Sequence, residues 1–529
     1  MLTEKEIRSK KVKKMRDIGI NPYPAKANKI HSIKEILNNF DNLSSKKTVI
    51  AIAGRIRSIR IHGKAIFADI EDESGKIQIF LKQDEIDKNE EEWRELNFSC
   101  HSEPENAWEE FPGARRCPRD YSAPATLQND AAIISPFQFF KDFFDMGDFI
   151  EARGELFKTK QDAITLLVKN FKMLTKALVS IPAEYFGMKD EEDKLRKRYL
   201  DILSNPEIKE MFYKKARFWS SVREFLIKKG FLEVETPVLE NTTGGADAKP
   251  FITHHNALDM DVYLRISMGE LWQKRLMVAG YEKIFEIGRQ FRNEGMDAEH
   301  LQDYTQMEFY WAYADYKMGM ELAEEMFRYV IEKTFGALKF KIRGFDVDLG
   351  KEWEIYDYRE TVKKYTGVDI LNANLKEIEA KLRELKIEYD KKGFNITRGI
   401  DNLWKYCRKQ IGGPGFLVNL PVAVSPLAKS QDENPDIVQR YQVIIAGSEL
   451  ANGYSELNDP EDQAKRFAEQ VKLREAGDEE AQMFDEEFVE ALEYGMPPTT
   501  GFGMSERVFA FFMDKPAREC QMFPLMKPR

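Results

Sequence analysis

Between Val49 and Phe80 the chain alternates apolar and polar residues with period two, in "VIAIAGRIRSIRIHGKAIFADIEDESGKIQIF", and turn residues interrupt the pattern at "HGK" and "ESGK". Successive strand side chains point to opposite faces, so this alternation predicts a meander of three half-buried strands. A second pair of strands is predicted in "GDFIEARGELFKTKQDAITLLVKNFKML". Further along, "EIKEMFYKKARFWSSVREFLIKKG" has helical spacing and stops at Gly230, after which "FLEVETPVL" reads as extended chain. The first 20 residues also carry apolar positions at helical spacing, with seven Lys/Arg against three Asp/Glu. That opening helix reads equally as a solvated face and as a nucleic-acid-contacting arm.

Five short strands with glycine-marked turns suggest a closed barrel of the oligonucleotide-binding (OB) type. The whole chain has 529 residues and a formal charge of -10, which excludes a globally basic nucleic-acid coat and leaves room only for a local basic patch. The stretch from Ala53 to Phe67 supplies one, with Arg55, Arg57, Arg60 and Lys64 and no acid. Four cysteines in 529 residues cannot make a disulfide framework. No apolar run approaches the ~18 residues of a membrane span. The expected setting is a reducing cytoplasm, with no membrane partner.

Residues 104 to 136 hold five of the 21 prolines, where even spreading would put one or two. That density argues against a long helix or strand. Cys100, His101 and Cys117 are too few and too irregularly spaced for a tetrahedral metal site, so the segment reads as a loop-like insertion. The expected organisation is a helical arm over 1–46, an OB barrel over 47–176 with an atypical insertion near 86–136, and one large α+β domain over 177–529.

Three patches in the large domain carry chemistry. "FRNEG" at Phe291 to Gly295 is followed by "HLQDYTQMEFYWAYADY". An isolated Arg-x-x-Glu is ordinarily a surface ion pair, but the apolar strands on both sides favour a hairpin that presents these residues on one face. "GFGMSERVFAFF" places Arg507 at the start of a helix-like run, behind Gly501 and Gly503, which permit close approach of a ligand. The helix and strand leading to Pro237 form the third patch.

On these patches the chain resembles the class II aminoacyl-tRNA synthetases, and over nearly its whole length the lysyl-tRNA synthetases of the bacterial type. The resemblance implies an N-terminal OB-fold β-barrel followed by a catalytic domain built on an antiparallel β-sheet flanked by helices. It implies ATP-dependent attachment of L-lysine to the 3′ end of its tRNA through a lysyl-adenylate, in a homodimer whose interface includes Pro237. Arg292 and Arg507 become the catalytic arginines on the ATP phosphate. Glu294, His300 and Tyr304 become the contacts to adenine and the outer phosphates. Lysine is assigned to Gly245, Glu270, Glu308, Tyr310, Asn452, Tyr454 and Glu456, a set in which carboxylates await a cation. Two or three Mg²⁺ ions are expected with ATP, one ligand being Glu449 and a second aligning with Gln442, where the family has Glu. In the barrel, Phe67 is expected to stack on the anticodon and Gln78 to read a base edge, with Arg60 close by; a place for Phe67 in the barrel core is the alternative. The third patch is one residue shorter than the family's form, with Met504 and Ser505 there. Rival readings are a relative that lysylates a protein, and an RNA-binding protein with an impaired catalytic domain.

Overall fold

The computed structural model describes residues 2–98, 134–181 and 190–529, apart from positions 247, 294, 296–300, 390–393 and 476–480. The chain divides into two compact units, Met1–Gly187 and Met188–Arg529.

In the first unit, β1 (Ile50–His62), β2 (Ala65–Asp72), β3 (Gly75–Lys82), β4 (Phe149–Lys158) and β5 (Ile164–Thr175) close a barrel in the order β1-β2-β3-β5-β4. The period-two pattern sends Ile66, Ala68 and Ile70 of β2 and Ile77, Ile79 and Leu81 of β3 inward. Closure is tight at Gly154, where a Cβ would lie 1.9 Å from the Leu167 carbonyl oxygen of the neighbouring strand. The opening helix, Glu4–Asp17, starts with a capping box on Thr3 and packs Val12 and Met15 into the barrel core. Its Arg8 is buried and donates to the carbonyls of Met146 and Ala177, so part of the basic face is tied to the fold.

The stretch read as an insertion is narrower than expected. Its N-terminal flank forms the helix Glu90–Phe98, whose Trp93 is buried against Phe98, Phe139 and Phe171. Its C-terminal flank forms the helix Pro136–Phe143, with Ser135 as N-cap and Pro136 at the first helical position, where a missing N–H costs nothing. Phe137, Phe139, Phe140 and Phe143 of that helix join the barrel core. These aromatics could not be recognised as core because they fall outside any strand alternation. Cys100, His101, Cys117 and most of the proline-rich run lie outside the described residues.

The second unit opens, after two short helices, with the helix Pro206–Lys228, capped by Asn205 and ended by Gly230 at φ +83°. Then come β6 (Leu232–Glu233), a small sheet of β7 (Leu239–Glu240), β8 (Ile252–His255) and β9 (Met260–Leu264), and the long hairpin β10 (Lys283–Phe291) and β11 (Asp303–Ala312). The hairpin β12 (Lys339–Ile342) and β13 (Phe345–Asp348) precedes β14 (Glu354–Asp357), β15 (Gly415–Val418), β16 (Arg440–Ile445), β17 (Ser448–Ser455) and β18 (Thr499–Ser505). Eight of these strands form one sheet in the order β14-β15-β16-β17-β18-β11-β10-β6, antiparallel apart from its two edge pairs. Met307 and Phe309 of β11, Tyr441 and Val443 of β16, and Phe502 and Met504 of β18 share a core with the helices Pro206–Lys228 and Tyr316–Phe335. A separate core holds the helices Tyr358–Thr366, Leu375–Glu384 and Ile396–Cys407. The remaining thiols among the described residues, Cys407 and Cys520, are free and buried, and burial pushes each up to about 12.

If the flanking helices are part of the barrel unit, Trp93→Ala should destabilise that unit by about 3 to 5 kcal/mol, the usual cost of removing a large buried aromatic. Denaturant unfolding measures this, and a change below about 1 kcal/mol would mean that the flank is an appendage.

Candidate functional site

The face of the large sheet opposite its helical core carries the site, because residues alternating with the core positions must emerge there. Strand register aligns two rows. Tyr310 faces Gly501, which faces Tyr454, which faces Arg440; one step along, Glu308 faces Gly503, Asn452 and Gln442 in turn. The two glycines form the floor between walls of larger side chains. A Cβ on Gly501 would lie 2.1 Å from Glu456 Oε1, and one on Gly503 3.1 Å from Glu308 Cγ. The floor can therefore be nothing larger.

The result is a cavity of about 420 Å³ lined by both rows together with Gly245, Glu270, Arg292, Tyr304, Gln306, Glu449, Glu456 and Arg507. Every sequence-nominated catalytic, ATP, lysine and metal residue within the described chain lines it. Glu294 and His300 lie outside the described residues. Gly245 adopts φ +86°, and a Cβ there would press 2.5 Å from Ser267 Oγ and 2.8 Å from Glu270 Cβ, which explains the glycine at that turn.

One end of the cavity is anionic. Glu270 starts the helix Glu270–Val278 and is buried, as are Glu308 and Glu456. Glu308 accepts from Gln306 Nε2 at 2.6 Å, from the Met268 N–H at 3.2 Å and from the Tyr310 hydroxyl at 3.2 Å. Burial, reinforced by the neighbouring Glu270 charge, outweighs these bonds and pushes Glu308 up to about 7. Burial also holds Glu456 well above the ordinary carboxylate range, with Glu270 and Glu308 adding to the effect and Lys274 opposing it. The phenols of Tyr310 and Tyr454 are raised by burial and remain neutral; Tyr454 donates to Glu270.

Lys274 was not anticipated. It is fully buried one helical turn after Glu270, with Nζ 2.7 Å from Glu270 Oε1 and 2.6 Å from Glu456 Oε2. Burial opposes its charge, but the two carboxylates outweigh that and raise its pKa. In the sequence, only the spacing of Glu270 and Lys274 on one helix hinted at it. Gln306 and Arg440 were missed as well; Arg440 donates to Asn452 Oδ1 at 2.7 Å and to Ser425 Oγ at 2.8 Å, fixing the orientation of that amide.

The other end is cationic. Arg292 hydrogen-bonds the Ile266 carbonyl at 3.3 Å and lies 5.8 Å from the Tyr304 ring centroid. Arg507 begins the helix Arg507–Phe512 and donates to the Glu449 carbonyl, while Ser505 Oγ accepts from its N–H at 3.3 Å. Glu506, just before it, is buried, accepts from the Thr305 N–H at 3.3 Å and pairs with Lys215. The shortened third patch therefore still brings Arg507 beside the hairpin that carries Arg292.

Between the two ends, the Glu449 carboxylate accepts from Trp404 Nε1 at 2.5 Å and from Gln442 Nε2 at 3.3 Å. Gln442 Oε1 is buried and accepts no hydrogen bond. One carboxylate and one unsatisfied carboxamide oxygen suit a hard divalent cation that takes its other ligands from phosphate and water. Among the described residues, no group of three or more His, Cys, Asp or Glu side chains could hold a metal ion.

On the barrel, Arg60, Phe67 and Phe80 align across β1, β2 and β3, and Ser58, Asp69 and Gln78 align in the next row. Phe67 is half-buried on the outer face and stacks on Phe80 with ring centroids 4.6 Å apart, so it is not a core residue. Gln78 accepts from Thr165 Oγ1 at 3.2 Å. The basic patch is weaker than its sequence suggested: Glu71 pairs with Arg57 at 2.9 Å, and Asp69 lies 3.8 Å from Arg60 and 3.5 Å from Lys76. Cross-strand carboxylates partly neutralise it, which a linear count of charges misses.

The model of the class II tRNA synthetases (D, K and N) matches residues 190–527, and that of the OB-fold nucleic acid binding domain matches residues 50–97. The chain is 39% identical over 535 residues to a lysine--tRNA ligase of Thermosipho africanus (strain TCF52B), covering 99% of this chain and 96% of the relative. It is 41% identical over 531 residues to one from Thermoanaerobacter sp. (strain X514), covering 99% and 96%. A lysine--tRNA ligase of Thermotoga maritima is 40% identical over 536 residues, covering 100% and 97%.

The glycine floor makes a geometric prediction. In Gly501→Ala the Glu456 carboxylate must rotate away from the cavity, as a crystal structure of the variant will show; a carboxylate left in place would contradict the account of the floor.

Proposed function

The chain belongs to the class II tRNA synthetases of the D, K and N group, and from that premise we propose that it is the lysine-specific member, joining L-lysine to the 3′ end of its tRNA with ATP. The observation that carries the choice is the buried trio of Glu270, Glu308 and Glu456 at one end of the cavity. An aspartate side chain would meet repulsion there, whereas the ammonium groups of lysine meet acceptors. Full-length similarity to lysine--tRNA ligases weighs against a protein-lysylating relative and against an impaired RNA-binding protein.

In the first step a lysine carboxylate oxygen attacks the α-phosphorus of ATP and the bond to pyrophosphate breaks, giving lysyl-adenylate. Arg292 and Arg507 stabilise the charge on the α-phosphate with preorganised donors, Arg292 also orienting the lysine carboxylate. Tyr304 offers a ring face to adenine, and Glu294 and His300 are assigned to the adenine amino group and the outer phosphates by resemblance. Glu270 and Glu456 take the α-amino and ε-ammonium groups, with Glu308, Tyr310, Asn452 and Tyr454 closing the pocket and Gly245 giving room at its mouth. Mg²⁺ would be held by Glu449 and the Gln442 carboxamide oxygen, two or three ions in all neutralising the ATP phosphates. In the second step the 3′-hydroxyl of the terminal ribose attacks the adenylate carbonyl, and AMP leaves. Phe67 and its partner Phe80 provide a stacking surface for anticodon bases, flanked by Gln78 and Arg60.

We also infer a homodimer in the cytoplasm. Support for the dimer is an exposed apolar strip at the sheet edge, with Ile227, Leu232, Val238 and Leu239 around Pro237. No helix of the described residues is long and apolar enough to cross a membrane.

Two experiments test this reading. Gln442→Glu restores a second carboxylate and should lower the Mg²⁺ concentration for half-maximal lysine-dependent ATP–pyrophosphate exchange by about three- to tenfold; superimposable Mg²⁺ curves would remove Gln442 from the metal site. Phe67→Ala should lower kcat/KM for tRNA charging about ten- to a hundredfold, the usual worth of a base stack, with pyrophosphate exchange unchanged. Unaltered charging would take the anticodon off that face.

A further inference from the structure

The floor, the arginines and the three carboxylates follow from the family's activity, but the fully buried Lys274 behind them does not. It is absent from the cavity lining, yet its ammonium bridges Glu270 Oε1 and Glu456 Oε2 at 2.7 and 2.6 Å. Rings of Tyr454 and Phe488 lie 5.6 and 5.9 Å from it. A buried ion pair of this kind rarely stabilises a fold more than an apolar side chain of equal volume would. Stability therefore does not account for a lysine here.

We infer that Lys274 is a positioning residue for recognition of the amino acid, holding one oxygen of Glu270 and one of Glu456 so that their other oxygens are presented to the two ammonium groups of the substrate. Those other oxygens, Glu270 Oε2 and Glu456 Oε1, accept no hydrogen bond from the described residues. Gly501 keeps the space beside Glu456 Oε1 open. The charges also balance. Three buried carboxylates, Glu270, Glu308 and Glu456, face one internal ammonium, leaving a deficit of two positive charges. Lysine brings two, on its α-amino and ε-ammonium groups, while its carboxylate is assigned to Arg292. Tyr310 and Tyr454, the other titratable groups facing the carboxylates, are neutral and add nothing to the sum. A ligand with a single ammonium would leave one carboxylate uncompensated, so Lys274 sets the pocket's demand as well as its geometry.

The inference rests on the lysine-activating reading, and pyrophosphate exchange separates the two. Wild-type protein without lysine-dependent exchange would sink that reading and this inference with it. Given wild-type exchange, Lys274→Met should raise the lysine KM about ten- to a hundredfold, as expected when a charge-assisted bond to each carboxylate is lost, with the ATP KM within twofold. Lys274→Arg, which restores the charge, should recover most of that loss. A lysine KM unchanged in Lys274→Met, or a loss confined to kcat or shared equally by the ATP KM, would overturn the inference. If Lys274→Met does not fold, the arginine variant decides alone: its altered geometry should raise the lysine KM several-fold at constant ATP KM, and an unchanged lysine KM would overturn the inference.

Discussion

Three carboxylates are held together out of water in one cavity, and the electrostatics of the catalytic unit are organised around that constraint. Removing a carboxylate from water costs several kcal/mol unless bonds or opposite charges replace its hydration. Glu308 receives a backbone N–H, an amide and a phenol, Glu270 a phenol and an ammonium, and Glu456 the same ammonium. Lys274 supplies one positive charge where three would balance. The unmet remainder is a standing demand for a doubly cationic ligand.

The fold meets the constraint by using the two faces of one sheet for different purposes. Met307, Phe309, Phe502 and Met504 hold the sheet to its helices, while their neighbours Glu308, Tyr310, Gly501 and Gly503 face the cavity. The register of β11, β17 and β18 places side chains more than 140 positions apart in one row. Glycine on the central strand leaves the depth in which a substrate can lie. The arginines stand apart from the carboxylates, so anionic phosphate and cationic side chain have separate ends. Glu449 and the unsatisfied Gln442 oxygen lie between them, where an ATP-bound cation would be needed.

Much of this was legible in the sequence wherever the signal was local. Period-two alternation revealed the barrel strands and placed Phe67 on β2, though only neighbouring Phe80 and the inward Ile66 and Ala68 decide that it faces outward. The motif patches brought together the cavity residues because strand alternation preserves which side chains share a face. Three features were hidden because they depend on long-range pairing. Trp93 and the phenylalanines after Ser135 flank a proline-rich stretch, and only closure of the barrel makes them core. Arg57 and Arg60 looked like an uncompensated basic patch until β2 brought Glu71 and Asp69 across from them. Lys274 reads as an ordinary helical lysine, and its second partner, Glu456, is almost 200 residues further along the chain.

The central claim is that the pocket lacks positive charge until lysine arrives. Glu308 stands at about 7 and Glu456 well above its ordinary range in the ligand-free site. Two arriving ammonium groups favour the ionised forms, so both pKa values fall on binding and protons leave. Affinity should therefore weaken as pH drops through 7, where each carboxyl must first give up its proton. Titration calorimetry of lysine into the ATP-free protein, in buffers of different ionisation enthalpy at pH 7, measures that proton count directly. The account predicts release of about half a proton or more per lysine bound; binding with no release, or with uptake, would contradict it.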